Sequence, residues 1–243
     1  MTRSIAVAGA VVAYRGRAAF EPLTGEFAAG SMTAVIGPNG AGKTSLLEAI
    51  AGAVPLAEGR IDAGDRNRIA YLPQRSQIDR SFPIRVSDVV ALGFVPRLGA
   101  WRGFAASQRD AAAAALAAVG LVGAGASLVG ELSAGQFQRA LFARTLVQQA
   151  DVVLLDEPFN AIDARTTADL LALLHGWHRA GRTIVAVLHD NELVRSHFPH
   201  ALLLARRCVA WGTTPRVLEA ANLDEAHRLA LAWEEAPAEV PVA

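Results

Sequence analysis

The chain has 243 residues, 52% of them hydrophobic, one cysteine, and 23 basic against 23 acidic side chains. That length suits one large core, with or without an appended lobe, rather than two independent domains, and zero formal net charge removes any global pull toward nucleic acid or an anionic membrane surface. The single cysteine, Cys208, excludes an internal disulfide and suits a reducing compartment; no apolar run approaches the ~18 residues of a membrane span, so a soluble chain that meets a membrane only by docking is expected.

Arg3 and the apolar residues 5–13 imitate a short signal peptide, but are read as an edge hairpin of the core with strands at 5–7 and 11–14. Leu23–Phe27 and Met32–Ile36 are the next strands. Gly37-Pro38-Asn39-Gly40-Ala41-Gly42-Lys43-Thr44-Ser45 follows and fits G-x-x-x-x-G-K-[ST], a turn whose backbone N–H groups close around the phosphates of a nucleotide. The helix expected from Lys43 to Ala51 adds its positive end, Lys43 reaches the β/γ-phosphates, and the Thr44 hydroxyl ligates Mg²⁺. Lys43 is the only lysine in the chain: arginine serves every other need for positive charge, and the compact ammonium is kept where a phosphate ligand needs one. Tyr14, after the second strand, is either a platform for an adenine ring, where stacking is worth ~1–3 kcal/mol, or a partly buried edge tyrosine.

Gly52 is the expected C-cap of that helix, and residues 59–62 and Ile69–Leu72 are short strands. From Arg75 to about Gly130 the texture turns to helical pieces broken by Pro96, Gly99, Gly103 and Gly120, a second lobe taken to span about 75–145. Within it Ser107-x-x-Asp110 is read as a capping box for a helix over 111–119. Ser133 or Ala134 opens a helix to Gln149. An apolar strand over 152–155 ends in Asp156-Glu157-Pro158, a helix lies near 165–179, and a strand over 183–188 ends at His189.

Strands alternating with helices predict an α/β fold with a mostly parallel sheet, and three of the apolar strands end in Gly37, Asp156 and His189, where open α/β sheets place their sites. Asp156 sits where Mg²⁺ beside the phosphates needs a carboxylate. Glu157, directed to another side, would orient or deprotonate the attacking water, assistance worth roughly 10²–10⁴ in rate.

Leu132-Ser133-Ala134-Gly135-Gln136, about twenty residues before Leu155-Asp156-Glu157-Pro158, resembles the signature motif and Walker B of the ABC transporter ATP-binding subunits, over most of the chain from Tyr14 to about Gly212. The resemblance implies a P-loop NTPase core with an N-terminal antiparallel part and a helical subdomain, in a single cassette over 1–232. It implies Tyr14 as the adenine platform, Gln74 as the lid-loop glutamine touching Mg²⁺ and the water, His189 as the switch histidine, and Asp163 in the loop that crosses to a second subunit. It further implies that Ser133, Gly135 and Gln136 cap the ATP of a second copy, so that two ATP molecules lie between two chains. Ala134 departs from the family's usual glycine, and its methyl is tolerable only if its backbone angle is ordinary.

One cassette without sustained heptads or a basic run fits a transporter motor serving a separate membrane permease and its solute-binding protein, peripheral on the inner face of the cell membrane, with no nucleic-acid partner. A GTPase would need a second lysine in its guanine motif. Residues 74–93 with Asp156-Glu157-Pro158-Phe159 are similar to the zinc and manganese importer branch, zinc first and manganese next; Ile78, Phe82, Pro83 and Val86 are offered as apolar contacts for the permease. Rival readings are an iron-chelate or other nutrient motor, and a non-transport regulatory ATPase. His175 with His178 and His197 with His200 are taken as surface histidines, and residues 233–243 as a frayed tail.

Overall fold

The computed structural model describes residues 3–74, 80–99, 103–160 and 162–235. Along the chain run strands β1 (Ile5–Val11), β2 (Ala13–Tyr14), β3 (Arg17–Ala18), β4 (Leu23–Phe27) and β5 (Met32–Ile36), then helix α1 (Lys43–Ala51) and strands β6 (Glu58–Asp62) and β7 (Ile69–Leu72). The helices α2 (Val86–Ala91), α3 (Val95–Leu98), α4 (Ala106–Ala118) and α5 (Ala134–Gln148) come next. The remainder is β8 (Val152–Asp156), α6 (Ala164–Arg179), β9 (Thr183–Val187), α7 (Asn191–His197), β10 (His200–Leu204), β11 (Cys208–Thr213), α8 (Thr214–Val217) and α9 (Ala220–Glu235).

Among the described residues the main sheet has the order β11-β10-β5-β9-β8-β7. β10, β5, β9, β8 and β7 are parallel, and β11 closes one edge antiparallel. β5, β8 and β9 are buried at every residue and apolar apart from Thr33, Asp156 and Thr183, as strands covered on both faces are. Their side chains alternate between two cores. Met32, Ala34, Ile36, Val153, Leu155, Ile184 and Ala186 face the helices of the second lobe and of the C-terminal half. Val35, Val152, Leu154, Val185 and Val187 face α1 and the antiparallel sheet β4-β1-β6. Each of these side chains larger than alanine contributes roughly 1.5–3 kcal/mol by leaving water, so the sheet holds the ends of β5, β8 and β9 in fixed register.

Five expectations change. β1 is one strand through Val11, bulged around Gly9 (φ 58°), and lies in the middle of its small sheet rather than at an edge. Tyr14 belongs to its own two-residue hairpin with β3. Helix α4 begins at Ala106, ahead of Ser107, because the Gln108 side chain reaches back to accept the Ala105 N–H at 2.6 Å. Helix α9 carries Trp233 within it, its ring 4.9 Å from the Arg206 guanidinium and packed on the core, so residues 233–235 are helical; residues 236–243 lie outside the described ones. Val86 is fully buried, because α2 turns that side chain into the core between α4 and α5. Phe82, by contrast, is 62% exposed, and Ile78 lies outside the described residues.

Candidate functional site

β5 ends at Ile36 and α1 begins at Lys43; the six residues between them make a turn that larger side chains could not. Gly37 has φ 141° and a Cβ there would stand 1.9 Å from the Leu204 carbonyl oxygen; Gly42 has φ 94° and its Cβ would stand 2.7 Å from the Phe20 ring. Pro38 is half-buried, Asn39 and Gly40 are exposed, and Ala41 is buried, its carbonyl accepting the Arg206 N–H. No side chain caps α1, so its first N–H groups are left for an anion. Thr44 and Ser45 are half-buried in its first turn.

Lys43 is 6% exposed, and its ammonium donates to the Gly37 and Pro38 carbonyls, both at 2.8 Å. The cation is thus held inside the turn. Burial lowers its pKa, and the Glu157 and Asp156 carboxylates oppose that.

Asp156 ends β8 fully buried, and neither carboxylate oxygen has a hydrogen-bond partner. Burial raises its pKa; the nearby Thr44 hydroxyl, short of hydrogen-bond geometry, lowers it, Glu157 and Glu48 raise it, and Lys43 lowers it. A buried carboxylate without partners is costly. An oxygen-seeking dication removes that cost, and the Asp156 carboxylate with the adjacent Thr44 hydroxyl is a donor set that fits Mg²⁺. Gln74 is exposed and lines the same cleft of about 810 Å³ as Thr44 and Asp156, between α1, β7 and α5.

Glu157 follows in the left-handed region, φ 49°, a conformation that costs a non-glycine residue of order 1 kcal/mol or more. Its carboxylate is held at both ends: Oε1 is 2.6 Å from His189 Nε2, and Oε2 accepts from Asn160 Nδ2 at 2.8 Å. The ends of β8 and β9 therefore bring Glu157 and His189 together as a hydrogen-bonded couple, with Glu157 in electrostatic reach of Lys43. Asn160 was missed by sequence reasoning, as was Gln138 of α5, whose amide donates to the Pro158 carbonyl at 3.2 Å. Asn160 stands three residues after Glu157, a visible spacing, but only the left-handed turn at Glu157 directs the two side chains at each other.

Tyr14 is 47% exposed, and its hydroxyl donates to Glu48 of α1 at 3.1 Å, which sets an open ring beside the helix that carries Thr44. The signature residues are elsewhere. Ser133 is the N-cap of α5, accepting the Gln136 N–H at 3.2 Å while Gln136 Oε1 accepts the Ser133 N–H at 2.9 Å, a complete capping box. Ala134 opens α5 with an ordinary helical backbone, and Gly135 follows without a positive φ. At 1.5 Å per residue Ser133 stands about 16 Å along α5 from Arg144, which lines the cleft. Asp163 caps α6, accepting the Thr166 N–H at 2.9 Å and its hydroxyl at 2.8 Å, and those bonds lower its pKa. Neither Ser133 nor Asp163 lines the cleft with Thr44 and Asp156.

The histidines group differently from their sequence spacing. His175 and His197, from α6 and α7, meet at 3.1 Å between ring nitrogens, a pairing between two helices rather than along one. Among the described residues no three His, Cys, Asp or Glu side chains form a metal-holding group.

A family model described as ABC transporter matches residues 20–160. The chain is 39% identical over 212 residues to a manganese transport system ATP-binding protein of Listeria monocytogenes, covering 85% of this chain and 88% of that protein. It is 40% identical over 210 residues to a zinc transport system ATP-binding protein of Treponema pallidum, covering 83% and 78%. Among solved structures, an inward-facing putative metal-chelate type ABC transporter superposes with a TM-score of 0.81 at 25% identity, over 93% of this chain and 89% of that one. A nucleotide-free ATP-binding cassette at 19% identity and TM-score 0.79 shares the fold. Matched by the family model over more than half its length and by relatives at about 40% identity over most of it, the chain belongs to the ABC transporter family, as one of its ATP-hydrolysing, ATP-binding subunits.

Proposed function

We propose that the chain drives import of a divalent transition-metal ion, manganese or zinc, through a separate membrane permease fed by a solute-binding protein. The names of its relatives support that cargo class. The observation that carries the enzymatic half is the pairing of Asp156, buried and unpartnered, with a Glu157 held at both oxygens, beside the turn of Lys43. Residues 37–45 and the start of α1 cradle the ATP phosphates, with Tyr14 under the adenine. Thr44, Gln74 and Asp156 hold Mg²⁺, which when bound neutralises phosphate charge. Glu157 accepts the proton of the attacking water, and His189 and Asn160 fix the direction of its carboxylate.

The cassette spans 1–232, with 75–145 as its helical subdomain. Two chains close on two ATP molecules, Ser133, Gly135 and Gln136 of each facing the nucleotide of the other and Asp163 lying in the connecting loop. Among the described residues no helix is long and apolar enough to cross a membrane; the subunit docks on the cytoplasmic side, where exposed Phe82 and Pro83 meet the permease.

Glu157→Gln should bind ATP with Mg²⁺, fail to turn it over and run as a dimer in size-exclusion chromatography. A variant that stays monomeric at saturating ATP and Mg²⁺ breaks the dimer reading. Uptake of radiolabelled manganese against zinc, in cells carrying the chain with the permease encoded beside it, separates the two metals; ATP-dependent uptake of neither, with uptake of a ferric chelate instead, overturns the cargo.

A further inference from the structure

The cleft between α1, β7 and α5 is lined by more than the residues read as the nucleotide site. Beside Thr44, Gln74 and Asp156, Arg144 of α5 lines it, as does Tyr71 of β7. Arg144 Nε and the Tyr71 hydroxyl are both buried without a hydrogen-bond partner. Burial lowers the Arg144 pKa, with no carboxylate acting against it. Arg182, the other arginine with a buried unpartnered nitrogen among the described residues, has the Trp177 ring 5.4 Å away and Asp151 in electrostatic reach. Arg144 has neither. A half-buried guanidinium whose Nε is out of water, with no counter-charge among the described residues, is costly unless an anion joins it. Among the described residues no carboxylate acts on Arg144; Glu48 accepts from Tyr14, and Asp156 and Glu48 stand within electrostatic reach of the Tyr71 hydroxyl, which places Tyr71 between Arg144 and the carboxylate that the Mg²⁺ reading uses.

We propose that Arg144 and Tyr71 form a holding site for orthophosphate, the second product of ATP hydrolysis, and that phosphate leaves sideways through this cleft. The inference rests on the reading of Thr44 and Asp156 as the residues flanking the γ-phosphate. Continuity with those residues selects orthophosphate over a carboxylate ligand, since the cleaved phosphate is released within the same cleft. A guanidinium offers donors only, and the phenol hydroxyl adds one more, which suits a tetrahedral oxyanion. Held there, the product is separated from ADP before two closed chains need to part.

The test titrates inorganic phosphate into the full chain loaded with ADP and Mg²⁺, followed by calorimetry and by ³¹P line width. Wild type should bind phosphate. Arg144→Met should weaken it about tenfold or more, the effect of losing a charge-assisted contact, with ADP affinity unchanged; Tyr71→Phe should weaken it a few-fold and Arg144→Lys should restore part of the loss. Arg144→Met should also melt no lower than wild type, because the cation it removes is uncompensated. Equal phosphate affinity in wild type and Arg144→Met, or no phosphate binding by wild type while ADP and Mg²⁺ bind normally, overturns the proposal. Should Arg144→Met fail to fold, wild-type affinity in both Tyr71→Phe and Arg144→Lys overturns it equally. Loss of ATP and ADP binding by wild type would instead strike at the phosphate turn.

Discussion

The ends of β5, β8 and β9 and the start of α5 are built from similar polar residues and end in opposite states. At the strand ends, Asp156 is buried without a partner, Lys43 is folded onto the carbonyls of its own turn, and α1 has no side-chain cap. At the start of α5, Ser133 and Gln136 satisfy each other, and Asp163 satisfies the first turn of α6. The first region carries an uncompensated buried carboxylate that the surrounding sheet must hold, and the proposed triphosphate and dication would relieve it. The second is stable without ligand, so any function it has depends on an exposed face presented to another molecule.

Lys43→Ala tests the first region most severely. It should reduce ATP affinity by about 10–100-fold, the worth of a lost charged contact, measured by equilibrium dialysis; unchanged affinity would remove the basis of the site.

Ser133→Ala probes the second region. ATP affinity of the monomer should stay within about twofold, while the proposed ATP-dependent dimerisation weakens about tenfold. Loss of the cap costs about 1 kcal/mol, seen as a fall in Tm of roughly 2–4 °C. Equal loss of monomer affinity would place Ser133 in its own chain's site and erase the contrast.

The smallest effect concerns stability. The folded pKa of Asp156 is raised above its unfolded value of about 3.9, so the stability linked to its protonation is full below that value and is lost as pH rises through the folded pKa. Asp156→Asn removes this loss: at neutral pH the ligand-free variant should melt roughly 2–4 °C higher and lose its response to Mg²⁺. Asp151 and Asp163, held low chiefly by Arg68 and Thr166, act in the opposite sense, losing stability as pH falls through their depressed pKa values, and do so equally in both proteins. A lower Tm for the variant in scanning calorimetry would mean that the carboxylate has a partner in the free protein.

Local chemistry written in the sequence located much of this molecule. The glycine-rich turn before α1, the capped start of α5 and the buried strands β5, β8 and β9 each follow from contiguous residues: glycines where φ is positive, a Ser-x-x-Gln spacing, runs of branched apolar side chains. What those residues do to one another was decided only when distant segments met. The Glu157 carboxylate is gripped by His189, 32 positions away, and Asn160 joins it through a left-handed turn that no residue type announces. Val86 was read as surface and is core, because the packing of α2 against α4 and α5 sets which side of a short helix is inside. Arg144, one arginine among many in the sequence, becomes singular through the cleft around it, since burial and the absence of a counter-charge are properties of the assembled fold.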